Sequence, residues 1–332
     1  MKKTFRLVTR RGFLTWLGGI SIAAFFVKYR MVEATTLNLG AFWKKRAAAL
    51  ASGLWVWGYN DAGQLGLGDT ANRSSPVQVG TLTSWTNIAS GYRHTLGLQN
   101  DGTLWAWGYN NNGQLGIAST ADRSSPVQVG AETSWVQVVG GGNHTCGLKS
   151  NGTLWTWGNN WLGALGLGHV LTRTSPFQVG AETSWTQVVG GSDYTCGLKS
   201  NGTLWTWGDN GSGQLGIGSI SNRSSPVQIG ALTSWIQIAG GISHSVGIQN
   251  DGTLWSWGYN GLGQLGLGDT ANRSSPVQVG AETSWVQVVT AFGHTCGLKG
   301  NGTIWAWGSN GGGSLGTGDT NDRSTPVQMG TE

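Results

Sequence analysis

A tryptophan–glycine pair recurs at intervals of 50 residues along this chain, without one insertion or deletion. The six pairs begin at Trp57, Trp107, Trp157, Trp207, Trp257 and Trp307. A fixed period of this length is typical of repeat proteins, in which each unit is one supersecondary element that buries its apolar face against the next copy. The period therefore predicts the architecture, and it leaves few positions for the asymmetric group of side chains that catalysis needs.

Each unit contains a predicted hairpin, in which two apolar runs flank a turn such as Asn151-Gly152. Asn-Gly between such runs is the strongest short signal for a two-residue type I′ turn. That turn would set Leu148 opposite Trp155 and Cys146 opposite Trp157. Because side chains alternate along a strand, these four residues are expected to share one face of the sheet.

A lone hairpin cannot cover its indole rings, so neighbouring units are expected to stack on one another. Each unit also contains a glycine-rich connection and a short outer strand, and about 50 residues with four strands is the size of a β-propeller blade. The sequence therefore predicts an all-β fold, a β-propeller of 50-residue blades over residues 53–332. Residues 1–52 are expected to form a signal-like or anchor segment with a linker.

The predicted propeller is incomplete, with about six blades and five and a half repeats. The Trp-Gly half of the unit occurs six times, whereas the half that runs from Trp-x-x-Val to His-Thr occurs five times. Ring closure would need the missing half from residues 35–52, which resemble it faintly at most. Either one of six blades is poorly completed, or the array is open and its edges need a partner, which would permit self-association.

Charge is divided unevenly along the chain. Residues 1–52 carry ten basic residues and one acidic residue, a net charge of +9, whereas residues 53–332 carry ten basic and fourteen acidic residues, a net charge of −4. The repeats therefore lack the basic surface that nucleic-acid binding requires, and no nucleic-acid partner is expected.

The first residues resemble an export signal. A basic region leads to the paired Arg10-Arg11, followed by Phe13-Leu14 and an apolar run over 13–27. This order resembles the twin-arginine motif, and the run is shorter than the roughly 20 residues of a membrane span. Cleavage stays open, because Lys28 follows the run and the Ala-x-Ala match at 49–51 lies far downstream. The alternatives are an uncleaved anchor, with membrane contact through residues 13–27 alone, and a chance leader on a cytoplasmic protein.

The generic unit reads Trp-x-Gln-Val-Val-x-Gly-x-x-His-Thr-x-Gly-Leu-x-x-Asn-Gly-Thr-Leu-Trp-x-Trp-Gly and ends in Ser-Pro-Val-Gln-Val. From residue 53 onward it resembles the regulator of chromosome condensation repeat family, here of a bacterial exported type. The resemblance implies a β-propeller, usually of seven blades. Family members include exchange factors for a small GTPase, a plant ultraviolet photoreceptor, secreted β-lactamase inhibitors and interaction modules. The photoreceptor's tryptophan slot holds Tyr92 here, and the 50-residue spacing leaves no room for an exchange-factor wedge.

Two recurrent polar residue types have a structural interpretation. Tyr194 occupies the slot that holds histidine in the other units, which indicates a shared hydrogen-bonding role. The three cysteines exchange with Leu96 and Val246 in their slot, and free cysteine packs as a small apolar residue. No catalytic residue, metal ligand or cofactor site is expected from the repeated positions.

Variation between units concentrates at the pair of residues before each histidine and at the four residues after each Trp-Gly. Matching offsets in each blade would form rings of loops around the axis, and exposed aromatic residues often mark interaction sites. The candidate partner-binding residues are Tyr92, Arg93, Trp161, Leu162, Asp193, Ile242, Leu262 and Phe292.

The predicted function is a non-catalytic protein-interaction scaffold outside the bacterial cytoplasm, in the periplasm, secreted or anchored to the membrane. It would bind an unidentified protein through loops on one propeller face. The alternatives are a secreted enzyme inhibitor resembling the β-lactamase inhibitor branch and a regulator of a small GTPase.

Overall fold

The computed structural model describes residues 53–330. The leader residues Arg10, Arg11, Phe13 and Leu14 lie outside the described residues. The described part of the chain consists of β-strands joined by turns and loops, and it contains no helix long and apolar enough to cross a membrane. The strands in chain order are β1 Trp55–Gly58, β2 Arg73–Gln78, β3 Trp85–Ser90, β4 His94–Gln99, β5 Leu104–Gly108, β6 Arg123–Gln128, β7 Trp135–Gly140, β8 His144–Lys149, β9 Leu154–Gly158, β10 Arg173–Gln178, β11 Trp185–Gly190, β12 Tyr194–Lys199, β13 Leu204–Gly208, β14 Arg223–Gln228, β15 Trp235–Gly240, β16 His244–Gln249, β17 Leu254–Gly258, β18 Arg273–Gln278, β19 Trp285–Thr290, β20 His294–Lys299, β21 Ile304–Gly308 and β22 Arg323–Gln328.

The strands form six antiparallel sheets that follow one another along the chain. The first blade contains β1 and β2, and the second to sixth blades contain four strands each, paired in chain order as β3–β6, β7–β10, β11–β14, β15–β18 and β19–β22. The first strands of successive four-stranded blades contact one another, which places them innermost. The prediction of an all-β propeller with about six blades, one of them incomplete, is therefore confirmed.

The predicted hairpin register is wrong by one residue. Leu148 pairs with Leu154, and Cys146 pairs with Thr156. Trp155 and Trp157 therefore lie on the opposite face of the sheet from Cys146 and Leu148. The turn has three residues instead of two. Gly152, the last of the three, is the one turn residue with a positive φ, of 77°, as is usual for a three-residue hairpin with a bulge.

The corrected register explains how blades stack. One face of each sheet carries aliphatic side chains, and the other carries the indole rings. Between the second and third blades the buried cluster consists of Leu96, Leu98, Leu104, Ala106, Leu115, Val129, Trp135, Val138 and Trp157. Four equivalent clusters join the other neighbouring blades, so the core is a series of layers between sheets.

The two ends of the array differ from its middle. The first blade holds two described strands, and no buried apolar cluster covers the aliphatic face of the sixth blade within residues 53–330. Ile304 on that face is 49% exposed, whereas its counterpart Leu254 is fully buried. The expectation that an open array self-associates stays a prediction.

Candidate functional site

The two variable slots meet at one end of every blade. Strand pairing places the residues before the histidine beside the residues after Trp-Gly, as shown by the bonds from the Tyr109 amide to the Arg93 carbonyl (2.8 Å) and from the Asp209 amide to the Asp193 carbonyl (2.8 Å). We call this end the loop face. It comprises residues 59–62 and 92–93 and their counterparts at 50-residue intervals.

Backbone hydrogen bonds join the inner part of the loop face from blade to blade. The amide of Tyr92 donates to the carbonyl of Gly142 (3.1 Å), Gly142 donates to Ser192 (2.8 Å), and Ser192 donates to Ile242 (3.1 Å). These bonds hold four pre-histidine segments side by side at the innermost strands. Tyr92 and Ile242, both half-buried, therefore belong to one continuous surface.

Tyr92 reaches across the third blade. Its ring lies over Gly142, where a Cβ atom would meet it at 2.9 Å. The Tyr92 hydroxyl is hydrogen bonded with Ser192, whose own hydroxyl donates to Asp193 (2.7 Å). Burial raises the pKa of Tyr92, and the Asp193 carboxylate adds to the rise, whereas the Ser192 hydrogen bond opposes it. A residue from the second blade and a carboxylate from the fourth blade are thus brought together.

Arg93 is held by groups within this chain. Its guanidinium forms a salt bridge with Asp61 of the first blade and lies 5.1 Å above the ring of Tyr109. The hydrogen bond to Asp61 raises the pKa of Arg93. The pKa of the Asp61 carboxyl group is lowered. Partial burial of Asp61 acts to raise this pKa, but hydrogen bonds from Arg93 and Tyr59 lower it by more. Of the eight candidate residues, Arg93 is therefore the one whose charge is already neutralised.

The most exposed candidate is Trp161, whose side chain is 73% accessible. Its loop is well defined, since Asn159 accepts a hydrogen bond from the Trp161 amide (3.0 Å) and Asn160 accepts one from Leu165 (2.9 Å). Leu162 beside it is also exposed. A rigid backbone thus presents a large indole to solvent, which is the arrangement of an interaction site.

The structure adds two exposed residues that sequence reasoning missed. Asn160 donates to the carbonyls of His169 (2.8 Å) and Leu171 (3.1 Å), so the glycine-rich connection folds back beside the Trp161 loop. Val170 and Leu171 on this connection are 52% and 62% exposed. The signal was present, because three other units hold Thr-Ala in these two slots. We call Trp161, Leu162, Val170 and Leu171 the third-blade patch.

The remaining candidates lie further round the loop face. Leu262 of the fifth blade extends beside Gly293 of the sixth, where a Cβ atom would lie 3.2 Å from the Leu262 methyl group. Phe292, adjacent to Gly293, is 52% exposed. Leu262 and Phe292 therefore form a second exposed apolar area, two blades from the third-blade patch.

The described residues show no catalytic constellation. Among residues 53–330 no group of three or more histidine, cysteine, aspartate or glutamate side chains is placed to hold a metal ion. A cleft of about 590 Å³ between the third and fourth blades is lined by Phe177, Trp185, Trp205, Lys199 and Glu182, among others. Its lysine is paired with its glutamate, and the cleft holds no nucleophile with an adjacent base.

A comparison with known families identifies the domain. The family model described as the RCC1-like domain matches residues 51–332. The chain belongs to the RCC1-like domain family. The repeats recognised in the sequence are thus RCC1 repeats on a β-propeller.

Solved structures agree with this assignment. Human WBSCR16 is 23% identical, with a TM-score of 0.76 over 85% of this chain and 77% of that protein. Yeast RCC1 (Prp20), solved bound to Kap60, is 21% identical, with a TM-score of 0.75 over 84% of this chain and 71% of that one. A structure of Prp20p from Saccharomyces cerevisiae is 22% identical, with a TM-score of 0.74 over 84% and 73% of the two chains. At these identities the likeness shows the fold.

Proposed function

We propose that this RCC1-like propeller is a non-catalytic scaffold that binds a protein partner through its loop face. The observation that carries the proposal is the third-blade patch, which concentrates exposed apolar side chains on one of six nearly identical units. Loop residues held by a rigid framework can present such groups without cost to the core. A contiguous exposed apolar area on a soluble domain is typical of a binding site.

Two features support binding over catalysis. Three of the four recurring histidines, His94, His144 and His244, are buried and hydrogen bonded to the next blade, so they are unavailable to a substrate. The carboxylates of the loop face are engaged within the chain, since Asp61 is paired with Arg93, Asp193 accepts from Ser192 and Asp209 accepts from Gln214. What varies between units is the chemistry of the loops, and such variation changes which partner a scaffold recognises.

Capture of partners by the full chain tests this function. Trp161→Ala and Phe292→Ala together should reduce the captured partner several-fold, because large aromatic residues dominate interface energies. Phe177→Ala is the matched control, since Phe177 is also about half exposed but lies on outer strand β10. Equal capture by the double variant and the wild type, with thermal midpoints unchanged, would reject the loop face as the binding surface.

We also propose that residues 1–52 direct the propeller out of the cytoplasm of a bacterium. The support is the order of basic region, Arg10-Arg11 and apolar run 13–27 in the sequence. Replacing both arginines by lysine should retain a tagged chain in the cytoplasmic fraction, because export by the twin-arginine route depends on the pair. Equal export of both forms would contradict the proposal. A captured secreted hydrolase would favour the inhibitor alternative, and a captured small GTPase would favour the regulator.

A further inference from the structure

The junction between the first and second blades shows how this fold holds a cation. The loop after Trp-Gly in one blade reaches the residue before histidine in the next, so that Asp61 meets Arg93, and Tyr109 lies beneath the guanidinium. One slot further along the loop, Leu262 reaches Gly293 at the junction between the fifth and sixth blades. At both junctions the loop after Trp-Gly therefore lies beside the pre-histidine residue of the next blade, and the side chains in the slots of Asp61, Arg93 and Tyr109 decide the chemistry of the first junction.

At the junction between the third and fourth blades the same three slots hold Trp161, Asp193 and Asp209. An aromatic ring and two carboxylates are present, but the basic residue of the first junction is replaced. The other three junctions hold Asn111, Asn143 and Asn159, then Gly211, Ser243 and Tyr259, then Gly261, Gly293 and Ser309. None of those sets combines an aromatic ring with a carboxylate.

Both carboxylates at this junction are oriented by neutral donors. Asp193 accepts from the Ser192 hydroxyl (2.7 Å), and Asp209 accepts from the Gln214 side chain (2.8 Å) and from the amide of Gly211 (3.2 Å). Within residues 53–330 neither carboxylate forms a salt bridge. The two residues are adjacent, since the Asp209 amide donates to the Asp193 carbonyl. Two carboxylates without a salt bridge therefore lie side by side, and the exposed Trp161 occupies the slot from which Asp61 reaches Arg93 at the first junction.

We propose that this junction binds an arginine side chain of the protein partner. The guanidinium would pair with Asp193 and stack on Trp161, so that a cation from the partner would meet a carboxylate and a ring, as Arg93 meets Asp61 and Tyr109 within the chain. Arginine suits the site, because its planar cation pairs with carboxylates and stacks on aromatic faces. Leu162 and the exposed residues 170–171 would contact apolar groups that flank the arginine. The inference rests on the proposed function, since it names the partner chemistry that the loop face selects.

The test uses the full chain and a fluorescent heptapeptide, Gly-Leu-Arg-Gly-Arg-Leu-Gly, with fluorescence anisotropy as the measurement. A second peptide carries citrulline, which keeps the shape of arginine without its charge. The arginine peptide is expected to bind roughly tenfold more tightly than the citrulline peptide, as for one charge-assisted hydrogen-bonded pair. Added salt should reduce this preference, because an exposed ion pair is screened. A lysine peptide should fall between the two.

Four variants make the test specific. Asp193→Asn and Trp161→Ala should each abolish the preference for arginine over citrulline. Asp251→Asn is the control, because this carboxylate lies in a hairpin turn at the opposite end of the blade, where three other units carry asparagine. The double variant Trp161→Asp with Asp193→Arg recreates the Asp61–Arg93 pair, so it should fold with an unchanged thermal midpoint and fail to bind the peptide.

Equal binding of the three peptides, or a preference that survives Asp193→Asn, would overturn the inference. In that case a loss of cellular partner by Trp161→Ala would still uphold the proposed function, with recognition through apolar contact alone. If instead the arginine peptide is preferred as expected, but the Trp161→Ala and Phe292→Ala double variant captures as much cellular partner as the wild type, the arginine site stands and the proposed function fails. Binding by the wild type to its own copies, seen as self-association relieved by Asp193→Asn, would contradict a separate protein partner.

Discussion

At the scale of single residues, three of the four repeated histidines, His94, His144 and His244, are parts of the core. The Nε2 atom of His94 lies 3.1 Å from the Thr145 hydroxyl, which itself donates to the Gln114 carbonyl (2.7 Å). Because the threonine proton is engaged, Nε2 of the histidine must be the donor, and this fixes the neutral tautomer. His144 and Thr195 repeat the arrangement at the next junction. Each pair links two blades.

These histidines make the fold sensitive to mild acid. Burial, reinforced by each one's neighbouring histidine, lowers the pKa of His94 and of His244 to about 3. Burial lowers that of His144 to about 4, with Asp193 and Ser192 opposing the change. Their unfolded value is near 6.5, so below that pH the unfolded chain takes up protons that the folded chain excludes. The free energy of unfolding should therefore fall by about 1.4 kcal/mol per pH unit for each histidine as the pH drops from 6.5 towards 4.

Urea unfolding at pH 7 and pH 5 measures this loss. His94→Tyr should reduce it by one histidine's share, because Tyr194 already occupies the equivalent slot and bonds to the carbonyl of His244 (2.5 Å). Carboxylates titrate mainly below this window, so they add little to the difference. A free energy of unfolding that is flat between the two pH values would contradict the prediction.

At the scale of the strand and hairpin, the local sequence signals predict each hairpin correctly but predict the wrong register between its two strands. Asn-Gly indicated a turn, but the turn is docked on the next blade, where the Trp185 amide donates to the Gly152 carbonyl (3.2 Å). This docking favours a three-residue turn with a single left-handed glycine. A shift by one residue moves every side chain to the other face. The indole face and the aliphatic face were therefore merged in the prediction and are separate in the structure.

A second hairpin feature was also beyond sequence reasoning. The ammonium group of Lys149 lies between Trp135 and Trp155, 5.0 and 3.6 Å from the ring centroids, and is paired with Glu132. Three units carry this lysine–glutamate pair. The other two replace it by glutamine and leucine, as Gln99 with Leu82 does. The paired exchange follows from burial, because a lysine in this position needs its counterion.

At the scale of the whole molecule, stability comes from stacking, and the final blade lacks a described neighbour on its aliphatic face. The surroundings of the hairpin-turn glycine differ between a blade that has a following blade and the sixth blade. Gly152 has a φ of 77°, and a Cβ atom there would lie 2.0 Å from the Thr183 carbonyl oxygen of the next blade. Gly302 has a φ of 84° with no atom within 4 Å of the equivalent position. The same turn is thus present with and without a following blade.

Substituting each glycine by alanine should separate the two contributions. Gly302→Ala should cost about 1–2 kcal/mol, the strain of a left-handed alanine alone. Gly152→Ala should cost about 2–5 kcal/mol, since the clash with the next blade adds to that strain. Thermal unfolding of both variants measures the difference. Equal losses would show that the blades do not stack through their turns.

Much of this molecule follows from the sequence alone, because the 50-residue period, the alternation of apolar residues and the turn signals are local properties of the chain. They determined the strands, the blade and the family. The candidate residues were also found, since loops that vary among near-identical repeats stand out. Only the tertiary structure decided which of those loops meet, because their partners are residues of the next blade. The neutralised Arg93, the adjacent carboxylates of Asp193 and Asp209 and the hairpin register all depend on that packing, in which one repeat supplies the environment of another.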